Sequence, residues 1–117
     1  MAEMSLEEFK QWLKEQFGEC AEDLAYPPLR LEDGLDDDFV IRCKAPRKMI
    51  RRNREIAYIL VQPMRGVRVF RLNLTNPNIA STILGLYIRH QNLENKVIHI
   101  KVQRVGEALR VDCWEVS

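Results

Sequence analysis

Only one register lets the stretch from Val97 to Val116 pair with itself well, and that register commits the end of the chain to an antiparallel hairpin. With a two-residue loop at Gly106-Glu107, Val102 falls opposite Val111 and Ile100 opposite Cys113 on one face, while Lys101 meets Asp112 and His99 meets Trp114 on the other. Apolar partners and opposite charges are matched together, each pair contributing roughly 0.2–1 kcal/mol. A slip of one residue would send every side chain to the wrong face.

Upstream, Ser5 and Glu8 form a capping box, in which hydroxyl and carboxylate each satisfy an orphan amide at a helix start. A helix from Leu6 to Phe17 follows, with Leu6, Phe9, Leu13 and Phe17 on one stripe widened by Trp12, and Gly18 as its stop. That stripe is expected to anchor the helix on the sheet. Residues 20–38 lose periodicity and hold Tyr26-Pro27-Pro28 and an acidic run, which reads as an acidic loop. Phe39 to Cys43 reads as a short strand. Glu55–Gln62 and Val67–Leu74 form a hairpin about Pro63-Met64-Arg65-Gly66; a four-residue loop would set Ile59 against Phe70 and Ala57 against Leu72. Because Tyr58, Leu60 and Val69 make the other face apolar too, this hairpin belongs at the centre of the sheet. Asn76-Pro77 opens a second helix that ends near Asn92, with Ile79, Ile83, Leu86, Tyr87 and His90 on one side.

The expected order is α-β-β-β-α-β-β: a single α+β domain over residues 1–117, with helices packed on an antiparallel or mixed sheet. A chain of 117 residues, 46% apolar and 30% charged, is long enough to build such a core without disulfides or metal. Its parts are an N-terminal helix (1–19), the acidic loop (20–38), and the sheet with the second helix (39–117). No apolar run approaches the roughly 20 residues needed to cross a bilayer. Glu3, Glu7 and Glu8 stand where a secretory signal would carry basic residues, so a cytoplasmic protein is expected. Cys20, Cys43 and Cys113 are odd in number and lack Cys-x-x-Cys spacing; they are expected reduced and mostly buried.

The formal charge of +1 conceals a division: Met1 to Ile41 carries −9 and Arg42 to Ser117 carries +10. Arg42, Lys44, Arg47, Lys48, Arg51, Arg52 and Arg54 crowd into thirteen positions, and their repulsion needs an anion to offset it. Either a polyanion does so, or Glu32 to Asp38 neutralise about half of them and the rest are solvated. Pro46 within the run marks a loop or a helical turn. Further cations, Arg65, Arg68, Arg71, Lys101, Arg104 and Arg110, lie on strands or turns. On the last hairpin Lys101, Arg110 and Trp114 share a face with His99 and Gln103, as in modules that stack single-stranded bases, although Trp114 could equally pack beneath the first helix.

No nucleotide-binding glycine motif, calcium-loop spacing or nucleophile-base arrangement is present, so neither an enzyme nor a cofactor or metal is expected. Cys43, between Arg42 and Lys44, could have a lowered pKa, but strand alternation turns those cations away and favours a buried thiol. The reading is a non-enzymatic nucleic-acid-binding module, RNA or single strand favoured, using Arg42, Lys44, Arg47, Lys48, Arg51, Arg52 and Arg54 for phosphates and Lys101, Arg110 and Trp114 as a second surface. The order of elements also resembles that of secretion-chaperone-like domains, which dimerise and clasp protein segments. That resemblance implies the alternative, a protein-binding adaptor or homodimer recognising an acidic protein.

Overall fold

The computed structural model describes residues 2–116. Two helices, α1 (Leu6–Phe17) and α2 (Pro77–His90), accompany six strands: β1 (Asp36–Ile41), β2 (Arg47–Arg51), β3 (Arg54–Pro63), β4 (Phe70–Asn73), β5 (Val97–Val105) and β6 (Ala108–Val116). The α+β class stands. The order gains one strand, β2, where the basic run suggested a loop or helical turn. Lys48 and Ile50 are exposed while Met49 between them is buried, so the segment alternates as a strand does. Its turn carries no glycine signal in the sequence, because Arg52 and Asn53 themselves adopt left-handed φ (50° and 62°).

All strand pairs are antiparallel. Val61 pairs with both Ile41 and Phe70, and Tyr58 with both Arg47 and Asn73. Since a strand has two edges, β1 and β2 lie end to end along one edge of β3, and β4 takes the other. β3 is therefore central, as its two apolar faces require, but β4, expected at the centre with it, is an edge strand paired with β3 alone among the described strands. The Leu60 amide falls in the gap between β1 and β2, where it donates to Cys43 Sγ at 3.3 Å. The β3–β4 register differs by two from the expected one, pairing Ile59 with Leu72 and Val61 with Phe70. A two-residue shift keeps the same side chains on the same face, so the apolar pattern could not distinguish the two.

The β5–β6 hairpin adopts the expected register, including His99 opposite Trp114 and Lys101 opposite Asp112. Gly106 supplies the positive φ (64°) that its tight turn requires. Strand β1 begins at Asp36, three residues earlier than expected, because Asp36 and Asp38 lie opposite Lys101 and His99 of β5. Acidic residues tolerate a strand where cations face them.

One sheet face carries Phe39, Ile41, Ile59, Val61, Leu72, Ile98, Ile100 and Val102, buried in one core with Ile79, Ile83 and Leu86 of α2. Asn78 Nδ2 and Thr82 Oγ1 of α2 donate to the Val111 and Cys113 carbonyls of β6, covering part of that edge strand. Over β2–β4 the opposite face is covered in part by residues 20–31, which reach Tyr58 through Asp23 and Arg71 through Pro28. This segment contains a 3-10 turn, Ala21–Ala25, so it is more ordered than a plain loop. Residues Pro27 and Leu29 bond to both sides of Arg71 and seal the outer edge of β4.

Helix α1 has the expected bounds and capping box, with Gly18 at φ 98° as its stop, but its packing differs. It has no buried residue; of its apolar stripe Leu6, Phe9 and Trp12 are exposed, and Leu13 and Phe17, toward its end, are half-covered near β2. Helical periodicity shows that an apolar face exists, not what covers it. The radius of gyration, 15.9 Å, exceeds the roughly 13 Å of a spherical domain this size, consistent with a helix outside the core. No helix among the described residues is long and apolar enough to cross a membrane.

Candidate anion-binding cleft

The basic run divides into residues with partners and residues without. Arg47 leaves β2 toward the 3-10 turn, where its Nη1 donates to both oxygens of Asp23 at 3.0 and 3.1 Å. Asp23 is buried and also accepts from the Tyr58 hydroxyl at 2.6 Å. Burial alone would lower the Arg47 pKa, but the hydrogen bond and charge of Asp23 outweigh it and hold the guanidinium above its ordinary value. Burial and then the Asp23 hydrogen bond push the Tyr58 phenol far above its usual range, keeping its hydroxyl a donor. Arg47 is thus committed to the fold. Lys48 pairs with Glu55 at 3.6 Å on the surface. Arg42 bonds Gln62 and Asn95, and Lys44 is exposed at the start of the β1–β2 connection. None of these cations pairs with Glu32 to Asp38. That acidic run turns instead to β5, and Asp33 accepts from the Arg104 amide.

Arg51, Arg52 and Arg54 converge at the β2–β3 turn, where Arg51 and Arg54 are direct cross-strand partners. Together with Arg71 of β4 they line a cleft of about 480 Å³, walled by Pro28, Met49, Ile56, Tyr58 and Asn73. Arg71 is 8% exposed. Its Nε donates to the Tyr26 carbonyl at 2.8 Å and its Nη1 lies 3.6 Å from Met49 Sδ; the rest of the fork has no acceptor among the described residues. Burial, followed by the charge of Arg51, depresses its pKa, yet a guanidinium stays protonated. No carboxylate lies within ion-pair distance of any of the four among the described residues. Like charges brought together without a counter-ion favour an anion between them.

The second surface is differently charged. Lys101 lies between Asp36 and Asp112 on the neighbouring strands, and Arg110 pairs with Asp112 at 3.1 Å. Trp114 is 44% exposed and stacks on His99, so it packs on the sheet and not beneath α1. His99 sits between Asp38 (2.6 Å to Nδ1) and Asp36 (2.5 Å to Nε2). These carboxylates make the face mixed in sign, where a cationic one was expected.

Arg71 is the cleft residue that the sequence did not single out. Its signal was a lone arginine between Phe70 and Leu72 in a strand, and nothing local shows that β4 would carry it beside the β2–β3 turn. Cys43 is buried, and burial raises its pKa against the opposing effect of the Leu60 amide, in keeping with a structural thiol; Cys20 and Cys113 are free and half-buried. Among the described residues no group of three or more His, Cys, Asp or Glu side chains is placed to hold a metal ion. Comparison with protein-family models, curated proteins and solved structures returned no match.

Proposed function

We infer that this chain is a non-enzymatic nucleic-acid-binding module, RNA or single strands favoured, that holds phosphates with the arginines of the β2–β3 turn. One observation carries this reading: Arg51, Arg52, Arg54 and Arg71 line a single cleft without a paired carboxylate among the described residues. Guanidinium forks match phosphate oxygens in charge and in bidentate geometry. Lys44, which has no ion pair among the described residues, adds a cation nearby in sequence, whereas Arg47 serves the fold. The carboxylates around Lys101, Arg110 and Trp114 oppose phosphate there, so the reading rests on the cleft. Titration of nucleic-acid-free protein with labelled oligouridylate, single-stranded DNA and heparin at two salt concentrations tests it; no binding even at low salt would overturn it.

A second reading, a protein-binding adaptor or secretion-chaperone-like dimer, is favoured by the open stripe of α1, where Leu6 is 66% and Phe9 45% exposed. Light scattering across a concentration series, repeated with Leu6→Ser and Phe9→Ser, separates it from the first.

A further inference from the structure

We propose that the Arg71 cleft seats a terminal phosphomonoester of a nucleic-acid strand in preference to an internal phosphodiester. The proposal rests on the nucleic-acid reading and names the group within the strand that the site takes.

Three features of the cleft point to an end group. The first is depth. Arg71 is more than nine-tenths buried, while Arg52 and Arg54 at the turn are exposed. A phosphate reaching both tiers must enter the cleft, and a monoester can do so because it has one ester arm; a diester has two arms and lies across the rim. The second is charge. Arg71 carries a buried positive charge that no carboxylate offsets, because the buried Asp23 is already engaged by Arg47 and Tyr58. Arg51, Arg52 and Arg54 add three more, and a monoester, near −2 at neutral pH, offsets more of this than a diester at −1. The third is the lining. Met49, Ile56 and Pro28 give the cleft apolar walls, suited to a sugar or base attached to the phosphate. The arginine N–H groups left without acceptors supply the donors that three terminal oxygens need.

The experiment uses the full chain and an internally labelled twelve-nucleotide oligouridylate in three forms: 5′-phosphorylated, 3′-phosphorylated and hydroxyl at both ends. At fixed salt and pH 7.5, one phosphorylated form is expected to bind at least about tenfold tighter than the hydroxyl form, the order of one charge-assisted contact. Uridine monophosphate in excess should remove that increment. The increment should also shrink between pH 7.5 and 5.5, as the second phosphate ionisation near pH 6 is suppressed. Arg51→Gln/Arg54→Gln, at an exposed turn, should bring the three forms within about twofold of one another; Arg71→Gln should do the same, with its thermal melt confirming the fold. Equal affinities of the three forms, with salt dependence retained, would overturn the end-group assignment and leave the nucleic-acid reading standing. Uridine monophosphate or a phosphoserine peptide bound as tightly as the phosphorylated strand would overturn the strand reading and the assignment to a strand end together.

Discussion

His99 and Trp114 stack across the β5–β6 ladder with ring centroids 4.5 Å apart and planes 20° from parallel. The indole covers one face of the imidazole while Asp38 and Asp36 take its two nitrogens. Donating to a carboxylate on each side requires both nitrogens protonated, so the geometry favours the imidazolium. Burial pulls the His99 pKa down, but the hydrogen bonds it donates to Asp38 and Asp36 outweigh that and raise it above the ordinary 6.5.

A group whose pKa rises on folding contributes stability that is fully present below its unfolded pKa and is lost as pH climbs through the folded one. Stability from this cluster is therefore present below about pH 6.5 and declines above it. Imidazole NMR titration should place the His99 transition above 6.5 in the wild type and move it down toward that value in Asp36→Asn/Asp38→Asn. A His99 transition at or below 6.5 in the wild type would contradict the geometry.

The two helices should differ sharply in their response to truncation. Leu86 of α2 is fully buried, so Leu86→Ala should destabilise by about 2–5 kcal/mol, through lost transfer energy and the cavity left behind. Phe9 of α1 lies open, and Phe9→Ala should cost no more than about 0.5 kcal/mol. Urea melts of both variants decide the matter, and equal losses would mean that α1 is packed more tightly than its exposure indicates.

Asp23 joins the segment before β1 to both β2 and β3 through Arg47 and Tyr58. Asp23→Ala should cost about 2–3 kcal/mol, below the usual figure for breaking a buried pair because Arg47 is partly exposed and can rehydrate. Tyr58→Phe removes one hydrogen bond while Arg47 still holds Asp23, and should cost about 1 kcal/mol. Equilibrium unfolding that ranks these two variants in the opposite order would show that the hydroxyl bond carries the anchor.

If the cleft arginines contact phosphates, affinity for a single strand should fall with salt by a log–log slope of about −0.7 per contact. Arg51→Gln/Arg52→Gln/Arg54→Gln should then flatten that slope by about 2 units with little change in sequence preference, since phosphate contacts carry no base information. Lys44→Gln, away from the cleft, should change it by less than about 1 unit. An unchanged slope in the triple variant would remove the cleft from the binding surface.

What the sequence by itself determined lies where the deciding interaction spans few residues. The capping box at Ser5, the Asn76-Pro77 helix start and the β5–β6 register each follow from groups that meet within one turn of helix or one tight hairpin. The tertiary structure decided matters that depend on distant segments meeting. Which cations stay unpaired was settled when residues 20–25 brought Asp23 to Arg47, and when β1 aligned Asp36 and Asp38 with β5. The cleft exists because β4 carries Arg71 along the edge of β3 opposite to the one that β2 occupies. The open face of α1 has the same origin: periodicity fixes which side chains share a stripe, but the buried surface they gain depends on whether another element reaches them, and residues 20–31 cover part of that side of β2–β4. Local pairing energies can be read along a chain, whereas the distribution of burial and charge partners is set by the whole packed arrangement.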